Sequence, residues 1–518
     1  MKRIVFNMLA ATAVIGAAPV SAQTITVAKT GSPTYNTLQA ALDHFAVDPD
    51  PGTPNVVQIT DSAVYDEVLT VKSPLTLEGT GSARPVLTVR ENATGFDNDG
   101  TTVTHVTEWA GGSGLLIDIP ITMTTASVAL KNLVIIPSKT GTPPINGLSS
   151  KANNFFLHLE NLLVTGNDGN DAPISTDGLT AVPPDGNHVH FLVSGGHIGS
   201  ITNNRPEADG AEVLMRNCIF THNKGTLGGS WRSGFFMCRI YYVTGIPPGA
   251  GTPTRPTAYR RLVIDDGCKF TFNNGSGLRT AASTTIETPD NRTFFAHNSE
   301  GGLWLDTQRG VNEINGIISA NNGTTGVNEG LGNVAGGVVT RMNLRNAIIV
   351  NNGWYGTFNR QGTAAMGPTI MENVTIANND LIHGSTSAIQ SSPAGNTVYF
   401  NVKNCIITGN GQTTKQTNSI WLQCNTGTFT HDYTAIVTNG PFALHSPPFY
   451  LQGSGAAAIG TPVSDADPEF LNTGPQDFAS PDFYAVQSTA YASLAEGGGA
   501  LSGGGNYISS NISDWSVY

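Results

Sequence analysis

A nine-residue pattern of apolar and polar positions recurs along the chain and is clearest at residues 217–225, Asn-Cys-Ile-Phe-Thr-His-Asn-Lys-Gly. In each copy a large apolar residue stands three positions after the start, and an asparagine stands six positions after it. The starts are 23 to 56 residues apart, which is typical of solenoids and other repeat arrays. They are Asn161, Asn217, Gly267, Arg292, Asn315, Asn346, Asn373, Asn404 and Tyr433.

The residues inside each copy indicate which array is formed. Short runs of β-branched and aromatic residues are bounded by Asn and Gly, which predicts strands and turns, and no helical period separates the copies. We therefore predict an all-β chain folded as a single right-handed parallel β-helix, with neighbouring coils about 4.8 Å apart. Equivalent residues then stack in columns along the solenoid axis.

Two of these columns are set by the repeat itself. The predicted apolar core column is Val164, Phe220, Phe270, Phe295, Ile318, Ile349, Ile376, Ile407 and Ile436. The other column is predicted to be an inward, hydrogen-bonded turn ladder. Its members are Asn167, Asn223, Asn273, Asn298, Asn321, Asn352, Asn379, Asn410 and Asn439.

The two ends of the chain differ from the repeats. Lys2 and Arg3 precede an apolar run and small residues before Gln23, which predicts a signal peptide at 1–22 and an exported protein without a membrane span. An amphipathic helix over 37–45 is expected to cap the open core, within an N-terminal cap of residues 23–55. The β-helix is assigned to 56–440, and terminal coils with a cap or tail to 441–518.

Composition narrows the classes of partner. Only 12% of residues are charged and the formal net charge is −12, which argues against nucleic-acid binding. Three of the five cysteines, Cys218, Cys268 and Cys405, share one repeat column and are predicted to be small buried core residues. The chain can form a single solenoid despite its length, because a solenoid adds to its core with each coil, and we expect it to be a monomer.

Several segments resemble the pectin-lyase-like superfamily of β-helix proteins. The opening segments are Thr37 to Leu42, Val56-Val57-Gln58-Ile59 and Tyr65 to Gly79, and the tail contains Asp467-Pro468-Glu469-Phe470 and Ser480-Pro481-Asp482-Phe483-Tyr484. Together with the repeats, the resemblance covers roughly residues 24 to 500 and implies the β-helix fold. It leaves activity open, because the superfamily holds lyases, hydrolases, esterases, epimerases and non-catalytic surface proteins.

The signatures of particular enzymes in this superfamily are incomplete. Ser175-Thr176-Asp177, His197 and Asp265-Asp266 resemble polygalacturonase elements, but the histidine precedes the aspartate pair. The catalytic strands of pectin methylesterases are absent, and no linear motif marks the calcium ligands of a pectate lyase.

Charged residues form two predicted columns. Arg345, Glu372, Lys403 and Asp432 precede the start on four successive coils, which predicts a solvated ladder of ion pairs. In the column before it, Asp265, Asp290 and Glu313 occupy positions that are apolar on other coils. Three stacked carboxylates would be protonated or joined by a cation, so they are candidates for a calcium site or a catalytic acid cluster. The alternative is a local bulge near Pro289 that turns Asp290 outward.

A third column lies on the strand after the asparagine turn. Its outward positions are predicted to be Arg279, Trp304, Asn328 and Phe358, and Arg360 follows nearby. Aromatic rings can stack on sugar rings while Arg and Asn bond hydroxyl groups, so the column is a candidate glycan-binding strip. The alternative is outer packing beneath a neighbouring loop.

Two functional hypotheses remain. In the first, an exported β-helix protein binds a polysaccharide along one face through Trp304, Asn328, Phe358 and Arg360. If this protein is an enzyme, it is a polysaccharide lyase or a glycoside hydrolase. An acid among Asp265, Asp290, Glu313 and Asp306 acts with Arg279 or Arg309 as clamp or base, with calcium as the candidate cofactor. In the second, the chain is a non-catalytic surface or adhesion scaffold.

Overall fold

The structure is a computed structural model. It describes residues 23–46, 55–81, 84–89, 115–117, 119, 125–137, 145–146, 154–165, 210–223, 233–237, 259–273, 275–280, 282–305, 310–329, 340–359, 368–379, 389–391, 397–408, 420–423, 426–432, 434–436, 449–452, 455–460 and 473. The predicted signal peptide, residues 1–22, lies outside them.

Short strands and one helix begin the described chain. These elements are β1 Thr24–Val27, α1 Leu38–Ala46, β2 Asn55–Ile59, β3 Val64–Glu67, β4 Thr70–Val71, β5 Leu75–Gly79, β6 Val86–Val89, β7 Leu115–Ile117, β8 Thr125–Lys131, β9 Val134–Pro137, β10 Ile145–Asn146, β11 Asn154–Glu160 and β12 Leu163–Thr165.

Longer strands follow in the middle of the chain. They are β13 Gly210–Arg216, β14 Ile219–Thr221, β15 Ser233–Met237, β16 Tyr259–Asp266, β17 Lys269–Thr271, β18 Ser276–Thr280, β19 Ser283–Glu287, β20 Thr293–Ala296, β21 Leu303–Leu305, β22 Gly310–Ala320, β23 Val327–Glu329, β24 Thr340–Val350 and β25 Thr357–Asn359.

The last described coils contain nine strands. They are β26 Thr369–Ala377, β27 Ile389–Ser391, β28 Thr397–Lys403, β29 Ile406–Thr408, β30 Ile420–Gln423, β31 Thr426–Asp432, β32 Ala435–Ile436, β33 Phe449–Gln452 and β34 Gly455–Ile459.

These strands stack in parallel on three faces. Face 1 runs β1-β2-β5-β8-β11-β13-β16-β19-β22-β24-β26-β28-β31-β34. Face 2 runs β3-β6-β9-β12-β14-β17-β20, continues through the second halves of β22, β24 and β26, and ends with β29 and β32. Face 3 consists of β4-β7-β10 and, separately, β15-β18-β21-β23-β25-β27-β30-β33. The predicted right-handed parallel β-helix is confirmed.

The predicted capping helix is confirmed as α1. Its buried side chains join the first coils of the core and are Leu38, Ala41, Leu42 and Phe45. The Glu67 carboxylate accepts hydrogen bonds from the backbone N–H groups of Leu38 and Gln39 at 3.0 and 2.9 Å, which satisfies donors that a helix start leaves free. The Gln39 side chain in turn accepts from Thr70 N–H on β4 at 2.7 Å, so the helix is tied to the edge of the solenoid.

Asparagine amides form a continuous ladder at the turn between faces 2 and 3. Its members are Asn223, Asn273, Asn298, Asn322, Asn352 and Asn379. Each Nδ2 donates to the Oδ1 of the next coil at 2.8–2.9 Å, and each backbone N–H donates to the same oxygen at 3.1 Å. From Asn273 onward, Nδ2 also donates to a backbone carbonyl of the previous coil. Over these six coils the predicted ladder is a buried, hydrogen-bonded network. The predicted members Asn167, Asn410 and Asn439 lie outside the described residues.

The predicted alignment of the copy that starts at Asn315 with the other repeats was wrong by one residue. Gly316, with φ +83°, stands where other copies have their left-handed asparagine, and Ser319 pairs with Phe295 and Ile349 in the core column. Ile318 belongs to a separate outer cluster, and Asn322 takes the ladder position. Ser319 is tolerated in the core because its hydroxyl donates to Gly326 O at 2.8 Å.

The cysteines of the repeat column, Cys218, Cys268 and Cys405, are buried and free, as their position predicted. Cys238 and Cys424 lie outside the described residues. Strand pairing extends from β1, which pairs with β2 inside the predicted N-terminal cap, to β34, which pairs with β31 inside the predicted terminal coils.

The ladder predicts a large cost for removing one amide. Asn298→Ala leaves the donors of Asn273 and the acceptors Phe270 O and Asn322 Oδ1 short of a partner, so we expect a loss of about 2 to 4 kcal/mol in unfolding free energy. Urea unfolding measures the change. The matched control is Asn291→Ala, an exposed amide bonded to Asp266, which should cost less than about 1 kcal/mol. Equal costs would contradict a stabilising role for the ladder.

Candidate functional site

Face 3 is built on a buried column that fixes its outward positions. The inward members are almost fully buried and are Phe235, Leu278, Leu303, Val327, Thr357, Ile389 and Ile420. The position before the first five of them is glycine. At the first four of these glycines, a Cβ would approach an amide of the asparagine ladder. At Gly277, for example, it would lie 2.8 Å from Asn298 Nδ2. The ladder therefore sets both the sequence and the path of these strands.

The positions that follow these inward residues form one column in the strand register over eight coils. In register they are Phe236, Arg279, Trp304, Asn328, Phe358, Gln390, Trp421 and Tyr450. The predicted alignment of Arg279, Trp304, Asn328 and Phe358 is thus present in the strand register. Aromatic residues alternate with Arg or amide residues over the first seven positions.

Arg279 and Trp304 contact each other within this column. The guanidinium carbon lies 4.4 Å from the centroid of the Trp304 ring, a cation–π distance. Arg279 is only 6% exposed, whereas Trp304 keeps part of its surface open. The arginine therefore positions the indole ring and occupies one side of it.

Face 1 carries the charged residues. Its charged column has twelve positions in all, six before a bulge and six after it. The members are Gln58, Glu78, Lys131, Glu160, Arg216 and Asp266, then Glu287, Asn315, Arg345, Glu372, Lys403 and Asp432. Lys131 Nζ lies 2.9 Å from Glu160 Oε2. The four residues predicted as a charge ladder are its last members.

Asp265 does not occupy the apolar column in which the sequence placed it. The register shifts after Met215, so that Ile264 fills the core position and Asp265 is the extra residue of a β-bulge. Its carboxylate accepts two hydrogen bonds from Arg216, at 2.7 and 2.6 Å. This bond lowers the pKa of Asp265, which favours an ionised, ion-paired carboxylate over a proton donor.

Glu313 and Asp290 also lie outside that column. The core position beside Glu313 belongs to Ile314, and the Glu313 carboxylate accepts from Asn343 at 2.7 Å and from Arg345 at 3.0 Å. Asp290 is exposed in the turn between β19 and β20. The predicted stack of three carboxylates is therefore not formed. In the ranges that the structure describes, no group of three or more His, Cys, Asp or Glu side chains is arranged to hold a metal ion.

The structure separates two sets of residues that the sequence had joined. Arg279 and Trp304 lie together on face 3, whereas Asp265 and Glu313 lie on face 1. Asp306, Arg309 and Arg360 fall outside the described residues.

Four members of the face 3 column were missed by sequence reasoning. They are Phe236, Gln390, Trp421 and Tyr450. Phe236 follows Gly234-Phe235, just as Arg279 follows Gly277-Leu278, so the glycine pattern could have identified it. The last three lack it, because Ala388, Ser419 and Pro448 precede their inward residues.

The three stacked parallel faces define a parallel β-helix. No protein-family model and no curated protein sequence matches the chain. The segments that the structure describes contain no helix long and apolar enough to cross a membrane.

Solved structures with a similar chain path include two modules from Azotobacter vinelandii. The A-module of mannuronan C-5 epimerase AlgE4 is 12% identical with a TM-score of 0.44, covering 82% of this chain and 95% of that one. The AlgE6 A-module is 10% identical with a TM-score of 0.41, covering 82% and 93%. The periplasmic alginate epimerase AlgG is 10% identical with a TM-score of 0.29, covering 79% and 86%. The likeness concerns the fold alone.

The bulge ion pair predicts a pH-dependent contribution to stability. Because the pKa of Asp265 is lowered in the folded state, its stabilisation is present above the unfolded pKa and is lost as pH falls through the folded pKa. Both partners are partly exposed, so Asp265→Asn should cost less than about 1 kcal/mol at pH 7. Unfolding free energies of the two proteins should converge in acid. A difference that persists in acid would contradict the ion-pair account.

Proposed function

We propose that the protein is an exported β-helix protein that interacts with a polysaccharide along face 3. The observation that carries this proposal is the eight-position column from Phe236 to Tyr450, which combines aromatic residues with Arg and amide residues. Aromatic faces stack on sugar rings, and Arg, Asn and Gln bond hydroxyl groups. A column parallel to the solenoid axis suits a chain-like ligand better than a compact one.

The spacing of the aromatic positions supports an extended polymer. Phe236, Trp304, Phe358 and Trp421 recur on every second strand of the column, which places their backbones about 9.6 Å apart at twice the usual strand separation. Two sugar units of an extended 1,4-linked chain have a comparable length. Successive aromatic positions are thus suited to equivalent faces of a repeating disaccharide.

Charge limits the class of polysaccharide. With a net charge of −12, the protein repels a polyanion unless a local cation intervenes. Arg279 supplies one positive charge within the column, and a bound calcium ion is the other way to accept an acidic glycan. We therefore expect calcium to be needed for binding only when the polysaccharide is acidic.

The candidate catalytic residues differ in how well they suit a ligand on face 3. Asp265 and Glu313 are engaged by arginines on face 1, which disfavours both as acids for a ligand on face 3. Asp306 follows β21 directly and lies two positions after Trp304 in sequence, so it is the preferred candidate acid. Arg279 or Arg309 would then act as clamp or base in a lyase or hydrolase reaction.

A non-catalytic surface scaffold is the second candidate function. The observation that favours it is the burial of Arg279, which is 6% exposed beside a Trp304 ring that it partly covers. If every side chain of the column were buried as Arg279 is, the column would stabilise the coils but would not bind a ligand.

A glycan screen with matched tryptophan variants tests the proposal. The mature protein is incubated with neutral glycans and with acidic ones such as mannuronan, with and without calcium, and both binding and release of new chain ends are measured. Trp304→Ala should weaken binding about tenfold or more, equivalent to about 1.4 kcal/mol. The control is Trp354→Ala, which removes a tryptophan from the turn before β25 and should leave binding unchanged.

The outcomes separate the candidates. Product release would establish an enzyme, and its loss in Asp306→Asn would support that acid. Binding without product would leave a glycan-binding solenoid. If no glycan is bound and none releases new chain ends, the carbohydrate proposal is overturned in favour of the scaffold.

A further inference from the structure

Two buried cysteines occupy the same position on neighbouring coils. Cys218 and Cys268 directly precede the paired face 2 strands β14 and β17, and they follow the paired face 1 strands β13 and β16. Because paired strands of neighbouring coils lie about 4.8 Å apart, the two Cα atoms fall within the range of about 4.4 to 6.8 Å that disulfides require. The column therefore brings together two thiols that are 50 residues apart in sequence.

The two cysteines are also in direct contact. The backbone N–H of Cys218 donates a hydrogen bond to Cys268 Sγ at 3.4 Å. Each thiol donates to the backbone carbonyl two residues before it, at 3.3 Å for Cys218 and 3.5 Å for Cys268. Each of these carbonyls also accepts a backbone N–H of the preceding coil, at 2.9 and 3.5 Å. The loss of both thiol hydrogens would therefore leave neither carbonyl without a partner.

Burial decides when these thiols can react. Both side chains have no exposed surface and belong to the hydrophobic core. Burial, together with the neighbouring Cys218 thiol, raises the pKa of Cys268 well above its usual value, which disfavours the reactive thiolate. Thiol exchange in the assembled coils is therefore slow, and a bond between the two sulfurs has to form while the coils assemble. Once it is formed, the same burial protects the bond from reductants.

We propose that Cys218 and Cys268 form a disulfide between neighbouring coils when the chain folds in the presence of a small disulfide oxidant. The thiolate of one cysteine attacks the oxidant, RSSR, and forms a mixed disulfide with release of one RS⁻. The thiolate of the other cysteine then displaces the second RS⁻ and forms the Sγ–Sγ bond. Two protein thiols are oxidised, one RSSR is reduced, and the two thiol protons pass to the released RS⁻ groups. The structure describes the reduced form, in which both thiols are free.

The disulfide would close the coil that begins the face 3 column. The chain between the two cysteines contains β15, and β15 contributes Phe236 to that column. A cross-link that closes a long loop restricts the unfolded chain and so stabilises the folded coil. Disulfides persist outside the reducing cytosol, so the use of this bond by the cell rests on the proposed export of the chain. The bond does not depend on a ligand of face 3, and a failure of the glycan screen would leave it unaffected.

Peptide mapping of the full-length protein tests the disulfide. The protein is unfolded and reduced, refolded with oxidised glutathione, alkylated in denaturant and digested without reductant. We expect a linked pair of peptides that contain Cys218 and Cys268. Cys405 is the matched control, because it is buried in the same repeat column but has Val374 and Thr434 as its neighbours there. Cys405 should be alkylated at least about tenfold more than Cys218, since neither neighbour of Cys405 carries a thiol.

Two outcomes of this mapping would overturn the proposal. One is alkylation of Cys218 and Cys268 to the same extent as Cys405. The other is linkage of Cys218 or Cys268 mainly to a different cysteine, within one chain or between two chains.

A stability measurement gives a second test, in which each variant is compared only with itself. The wild-type protein refolded with the oxidant should melt several degrees higher than the same protein refolded with a reductant, because the cross-link restricts the unfolded chain. Cys268→Ala should abolish this difference, whereas Cys405→Ala should retain it. A difference that persists in Cys268→Ala, or that is absent from the wild-type protein, would contradict the proposal.

Discussion

The structure depends on hydrogen bonds between equivalent residues of successive coils. Backbone pairing alone stacks parallel strands without selecting which residue of one coil faces which residue of the next. The asparagine ladder makes that selection, because each Oδ1 accepts both the N–H and the Nδ2 of the coil before it. A shift of one residue would leave these buried amide groups without partners, at a cost that stacked apolar residues alone would not impose.

Stacking equivalent residues places a different requirement on each face. Apolar rings stack on their own kind, as Phe220, Phe270 and Phe295 do at 5.2 Å between centroids. Charged residues of one sign repel at the same spacing, so the charged column of face 1 brings opposite charges and amides together, as with Lys131 and Glu160. Four strands of face 3 have a glycine before their inward residue, where the ladder leaves no room for a side chain. One spacing thus accounts for the composition of all three faces.

Most of the fold was predictable from sequence because its residues repeat. The ladder, the core column and the capping helix each follow from a pattern of residue types. The errors arose where a shift of one residue changed the alignment of a copy with the other repeats. Adjacent asparagines at 321 and 322 satisfy the pattern equally well, and only the left-handed turn at Gly316 decides between them. The bulge at Asp265 shifts the repeat alignment a second time, and no change in residue type in the sequence indicates it.

The candidate site was predictable only where side chains follow the repeat. The face 3 column follows strand register, so its central members were found, whereas the pairing of Asp265 with Arg216 depends on the bulge. That pairing bears on function. A carboxylate held by an arginine on face 1 stabilises neighbouring coils, whereas the proposed ligand contacts different residues, on face 3. Under the proposed function, stability and recognition therefore depend on separate faces of one solenoid, and the face 3 column can vary in sequence while the ladder beneath it stays fixed.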